Sequence, residues 1–223
     1  GVKCGIMDQM ISALGQKGHL LLIDCRDLKT TPVPLPKGVR VVILDTGTRR
    51  GLVDSAYNER RKQCESVASY FGKKALRDVS YKQLIKAKTK IDPIQFRRAR
   101  HVIKENKRVL DCARSLRSGN LDHVGELMNA SHISLRDDFE VSSEALDQMV
   151  ESAIKIPGCY GARMTGAGFG GCAVALVETK HTENFVKKLL NSYHISIGNK
   201  ALIYVCNASE GTSIYTKNEF TVQ

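Results

Sequence analysis

Apolar residues recur at helical spacing along much of this chain, interrupted by short runs in which they cluster or alternate as in strands. Near the N-terminus Met7, Met10, Ile11 and Leu14 fall on one stripe closed by Gly15 and Gly18, which predicts a short helix. "HLLLIDC" (19–25) and "VRVVILD" (39–45) read as strands, and the proline-punctuated "TPVPLPKG" (31–38) between them as an extended connection and candidate domain boundary. In "SAYNERRKQCESVASYFG" (55–72), Cys64, Val67, Ala68 and Phe71 share a helical face, and Gly72 can end the helix in a left-handed cap. A polar, Lys-rich loop follows. Asp92 as N-cap and Pro93 at the first helical position then open the longest predicted helix, whose apolar set Ala99, Val102, Ile103, Leu110, Ala113 and Leu116 runs to Gly119.

"LDHVGELMNASH" (121–132) and "SEALDQMVESAIKIPG" (143–158) predict two more helices, the second capped by Ser142 or Ser143 and stopped at Pro157 and Gly158. A glycine-rich run leads into the strand-like "CAVALV" (172–177). Thr182 can cap a helix over "ENFVKKLLNSY" (183–193), and "ALIYVC" (201–206) reads as a strand. Helices follow one another instead of alternating strictly with strands, so the fold class expected is α+β.

Composition narrows the function classes. The 223 residues are 42% hydrophobic and 26% charged, a balance that packs a core and excludes a disordered or fibrous chain. No apolar run approaches a bilayer-spanning length of about 20 residues, and no basic patch with an apolar signal core opens the chain, so neither membrane insertion nor export is expected. Seven cysteines scattered singly suit buried thiols in a reducing cytoplasm better than disulfides or a zinc site. The formal net charge of +11 raises nucleic acid, a membrane surface or an anionic small substrate as partner. Much of that charge lies in "FRRARHVIKENKRVLDCARSLRSG" (96–119), where Glu105 and Asp111 interrupt the cations, so the stretch reads mainly as a solvated helix face. No aromatic stacking motif accompanies it, and nucleic-acid binding is not expected.

The densest chemical signal is "YGARMTGAGFGGCAVALVE" (160–178), with glycines at 161, 166, 168, 170 and 171. Gly166, Gly168 and Gly171 satisfy the G-x-G-x-x-G pattern of dinucleotide sites. That motif needs a strand before the glycines and a helix after them. Here a helix is predicted to lead in and a strand to lead out, so the dinucleotide reading fails on context. Two readings stay open: backbone amides forming an anion-binding concavity, or a bare turn packing tightly on a neighbouring element.

Several stretches then fall into register. "GARMTGAGFGGCAVALV" resembles the third motif of the GHMP small-molecule kinases, in wording closest to the galactokinase branch, and "CGIMDQMISALGQKGHLLLIDCRDL", "SAYNERRKQCE", "RRARHVIKEN" and "LMNASHISLRDDFEVSSEALD" resemble galactokinase segments in the same order. The resemblance implies a GHMP-kinase C-terminal domain over residues 38–223, mostly antiparallel sheet with helices packed on it, preceded at 1–37 by the tail of the N-terminal domain. It implies ATP- and Mg²⁺-dependent phosphorylation of the C1 hydroxyl of galactose in the cytoplasm, with no metal ligand in this chain.

By the same resemblance, Asp8 is the catalytic base, Gly5 and Tyr57 lie near the sugar, and the loop Thr165, Gly166, Ala167, Gly168, Gly170 and Gly171 lies beside substrate and transferred phosphate. Judged by pattern alone, Asp8 reads rather as a favourable partner for a helix dipole, Gly5 as a helix start and Tyr57 as an amphipathic residue at a surface or core edge. His101 and the "RRAR" arginines are read as helix surface, and Ser131 and His132 as structural. Galactokinases carry two further upstream motifs, for sugar recognition and for the ATP phosphates. Neither occurs here, so the chain is expected to be a C-terminal portion, inactive alone, with a poorly supported first segment. A smaller departure is "TGTRRGL", where many relatives show histidine near Arg50. Alternatives are a non-catalytic galactose- and ATP-binding regulator and an N-acetylgalactosamine kinase.

Overall fold

The computed structural model of the protein describes residues 5–48, 53–197 and 201–213. A short helix, α1 (Met7–Leu14), leads into an antiparallel hairpin of β1 (His19–Asp24) and β2 (Lys29–Pro34). β3 (Val39–Asp45) is followed by helices α2 (Val53–Tyr70), α3 (Tyr81–Lys86), α4 (Pro93–Arg117), α5 (Leu121–Ser134) and α6 (Glu144–Ile154). Strands β4 (Cys159–Met164) and β5 (Cys172–Glu178), helix α7 (Thr182–Ile197) and strand β6 (Leu202–Cys206) follow. The second sheet runs β4-β5-β3-β6, antiparallel throughout, and with its packed helices makes the molecule α+β as expected.

Alternation along β3 serves two cores. Val42 and Leu44 join Leu146, Met149 and Ala153 of α6 and Phe185, Leu189 and Tyr193 of α7. Val39 and Val41 belong instead to a cluster with Ala113 and Leu116 of α4, Val124 of α5 and Val33 of β2. A third cluster, including Val67, Ala68, Leu84, Phe96 and Ala99, ties α2 and α3 to α4. α5 meets β4 backbone to backbone: a Cβ on Gly125 would sit 1.8 Å from Tyr160 O, and one on Gly161 2.4 Å from Gly125 O.

The local stop and start signals act as read. The Asp92 carboxylate accepts from the Ile94 and Gln95 amides, Ser143 accepts from Leu146, and Gly72 takes φ +62°. Other expectations are corrected. The proline stretch is not a bare connection: Pro32 and Pro34 stand in β2 opposite Leu21 and His19, tolerated because this strand pairs on one side only. The Lys-rich loop contains α3, nucleated by a capping box between Ser80 and Gln83. Thr182 is the first residue of α7, and its hydroxyl donates to Glu178 O instead of capping free amides. None of the six described cysteines is fully buried and Cys25 is exposed, although burial still pushes the thiols of Cys64 and Cys159 up to about 11 and about 12.

Two corrections bear on the site. The glycine run follows a strand, β4, whose apolar pattern is broken by Gly161 and Arg163, so the run is the turn of an antiparallel β4–β5 hairpin. And the cationic stretch of α4 is not simply a solvated face: Arg98 is 2% and His101 5% exposed, while Leu110, counted in the apolar stripe, is half exposed. The reason is a single π-helical turn, Leu135–Phe139, after α5, which covers that side of α4 and offers acceptors to it.

Candidate functional site

Tyr57, Arg60 and Arg61 stand at positions i, i+3 and i+4 of α2 and therefore share one face. With Leu135, Phe139 and Val141, and with Gly166 and Ala167 of the glycine loop, they line a cavity of about 240 Å³. The Arg60 guanidinium donates from Nε to Phe139 O at 2.7 Å and from Nη2 to Glu140 O at 3.3 Å. Burial, reinforced by the nearby Arg98 charge, lowers its pKa from the usual arginine value. Arg61 is more exposed and pairs with Glu65 at 2.7 Å.

The cavity floor is held from behind by α4. Arg98 donates from Nη1 to Asp138 O and from Nη2 to Glu140 Oε2, both at 2.6 Å, and from Nε to Gln63 Oε1 at 3.2 Å. Arg97 takes the other Glu140 oxygen at 2.7 Å, and Arg100 pairs with Asp138. Hydrogen bonds from Arg98 and Arg97 hold the Glu140 carboxyl down at about 2. Ser134 Oγ lies 3.0 Å from both His101 Nδ1 and Asp138 Oδ2, and burial depresses His101 to about 4, so this imidazole is neutral at pH 7.

The glycine loop is pinned at its base and at one point near its tip. At the base Thr165 N–H donates to Cys172 O at 2.9 Å, and Gly171 O accepts from the Thr46 amide (3.1 Å) and hydroxyl (2.7 Å). Tyr193, wholly buried, donates to Thr46 O at 2.9 Å. At the tip Phe169 N–H donates to Val141 O at 2.7 Å, and a Cβ on Gly168 would lie 2.0 Å from that same carbonyl oxygen. The bareness of Gly168 is thus demanded by the protein's own segment between the π-helical turn and α6, the tight-packing alternative left open above.

Of the expected site residues, the structure brings together Tyr57, Gly166 and Ala167. Thr165 and Gly171 form the base of the loop, and Gly168 and Gly170 are buried within it. Asp8 is exposed in the first turn of α1, and the preceding Gly5 has open space where a Cβ would be; neither lines the cavity. Arg50 lies outside the described residues. The residues missed are Arg60 and Arg61, whose signal was their i+3 and i+4 spacing from Tyr57, and the floor residues Leu135, Phe139 and Val141, which only the chain's return path places there.

Ser131 and His132 are buried and structural in their contacts. Ser131 Oγ donates to Glu105 Oε1 at 2.5 Å, where Arg108 and Arg163 also converge. His132 Nδ1 accepts from Met164 N–H at 3.3 Å, and its Nε2 lies 3.2 Å from Asp147 Oδ1. Among the described residues no three His, Cys, Asp or Glu side chains converge as a metal-ligand set, and no helix is long and apolar enough to cross a membrane.

With that geometry in place, known proteins can be set beside it. A family model described as GHMP kinases C terminal matches residues 112–195. Galactokinases of Haemophilus influenzae and Pasteurella multocida are 48% and 50% identical over 218 residues, 96% of this chain. The chain spans 57% of the length of each. The crystal structure of Lactococcus lactis galactokinase complexed with galactose superposes with a TM-score of 0.90 at 36% identity, covering 96% of this chain and 56% of that one. The crystal structure of L. major mevalonate kinase in complex with R-mevalonate shares the fold at a TM-score of 0.52 and 19% identity, covering 87% of this chain and 50% of that one. Residues 112–195 thus match the GHMP kinases C terminal model, and the chain is similar in sequence and in fold to galactokinases over nearly all its length.

Proposed function

We propose that the chain is the sugar- and phosphate-facing portion of a galactokinase that phosphorylates the C1 hydroxyl of galactose with ATP in the cytoplasm, residues 1–37 completing the N-terminal, ATP-binding domain and 38–223 forming the C-terminal domain. The observation that carries this reading is the shared cavity: Tyr57 and the loop residues Gly166 and Ala167, far apart in sequence, face one space with two arginines on its wall. An apolar floor, a phenol, exposed loop backbone and guanidinium charge suit a polar sugar bearing a developing phosphate.

The roles follow from chemistry. The Tyr57 hydroxyl binds a sugar hydroxyl. Backbone at Gly166 and Ala167, with Arg61 alongside, favours the negative charge of the transferring phosphoryl group. Asp8 accepts the proton of the C1 hydroxyl as the new O–P bond forms and the bond to ADP breaks, which requires α1 to stand against the cavity.

The test is sugar-dependent ADP release by the protein at its full natural length, with galactose, ATP and Mg²⁺. Turnover with galactose supports the reading; galactose binding without turnover sinks it in favour of a sensor.

A further inference from the structure

The loop between β4 and β5 has little stiffness of its own. Its backbone is left-handed at Gly166, Gly168, Phe169, Gly170 and Gly171, and between its base bonds the only backbone bond from it among the described residues runs from Phe169 N–H to Val141 O. The position of that carbonyl therefore sets the height of the loop tip. Val141 in turn follows a fixed corner. Glu140 is itself left-handed (φ 51°, ψ 53°), a conformation unfavourable for a non-glycine residue, and Val141 N–H closes the corner on Leu135 O at 3.1 Å. The corner is held open by α4: the buried Arg98 fork spans Asp138 O and Glu140 Oε2, and Arg97 takes the remaining carboxylate oxygen.

We propose that Arg98 and Glu140 are positioning residues for the glycine loop, acting through the Val141 carbonyl. Neither lines the cavity; both act one layer behind it. Arginine is required because one planar group must satisfy a backbone carbonyl and a carboxylate at once, which a lysine ammonium cannot do in the same geometry. The steric contact of Gly168 with the same oxygen makes the linkage stiff in both directions: the bond stops the loop lifting away, and the contact stops it sinking. The kinetic consequence rests on the kinase reading above; the structural one does not.

The experiment uses the protein at its full natural length and two readouts. Glu140→Gln keeps the side-chain shape while removing the charge that Arg98 and Arg97 grip, and Val67→Ala, in the separate α2–α4 cluster, serves as a destabilised core control. Hydrogen exchange of the Phe169 amide, without ligand, is expected to accelerate at least tenfold in Glu140→Gln and less than threefold in Val67→Ala. In the kinase assay Glu140→Gln is expected to lower kcat at least fivefold with KM for galactose within twofold, and Arg98→Lys to behave alike. Unchanged Phe169 exchange in Glu140→Gln, or equal acceleration in the control, overturns the proposal whatever the kinetics. Accelerated exchange in a protein that phosphorylates no sugar supports the strut and removes only the kinase reading.

Discussion

The glycine loop and helix α1 carry the two halves of the proposed chemistry, and they are supported in opposite ways. The loop is fastened to β3 through Thr46, to β5 through Cys172 and to the corner behind it through Val141, above a core with no exposed side chains at Leu146, Met149 or Phe185. α1, bearing Asp8, buries no residue fully: Met7, Ile11 and Leu14 are 53%, 40% and 45% exposed. It is tied at its C-terminal end, where Thr212 N–H donates to Ser12 O at 2.7 Å and Gly211 N–H to Gly15 O at 2.9 Å. The proposed phosphate-facing surface is thus built within one core, whereas the proposed base sits on an element whose apolar stripe is unmet within the described residues. Stability and catalysis should respond to different halves.

The sharpest test of that division is Asp8→Asn in the protein at full natural length. It is expected to reduce kcat about 10³-fold, the middle of the range for loss of a general base, while the melting temperature moves by less than 1 °C. A large loss of stability would break the comparison at once. Gly168→Ala is the converse: the new Cβ meets Val141 O at 2.0 Å in a left-handed backbone, and we expect a loss of about 3 kcal/mol or more, read by denaturant unfolding.

Acid should loosen the loop side first. His101 packs beside Phe139 and faces Ser134, Asp138, Glu105, Arg108 and Arg163, and its folded pKa is about 4 against 6.5 for an unperturbed imidazole. The unfolded chain therefore binds the proton first. The neutral imidazole contributes stability that is complete above about pH 6.5 and declines as pH falls toward 4, by about 3 kcal/mol in all. A pH series of unfolding free energies checks this, and a profile of His101→Gln as steep as that of the parent would falsify it. The smallest effect belongs to α1 again: Ile11→Ala should change the stability of this chain by less than about 0.5 kcal/mol, as expected of an exposed position.

Legibility in the sequence divided along similar lines. Helices with strong end signals were readable because those signals are local: Asp92 and Pro93 open α4, and Gly72 ends α2 with the φ that glycine alone adopts freely. β4 was not readable because Gly161 and Arg163 interrupt its apolar face. Both are there for partners elsewhere, Gly125 on α5 and Glu105 on α4. The site was half legible. Tyr57 and the loop were found through motif resemblance, but Arg60, Arg61 and the apolar floor could be placed only once the turn after α5 was known to return beneath the loop.

By itself the sequence determined the α+β class and the limits of the helices with strong end signals, such as the start of α4 and the end of α2, since periodicity and capping act within a few residues of one another. Only the tertiary structure decided which cations are solvent-facing and which is the buried Arg98, why Gly168 must be bare, and that α1 stays at the edge. Those outcomes depend on which distant carbonyl, carboxylate or apolar face arrives opposite a residue, and no local pattern encodes that arrival.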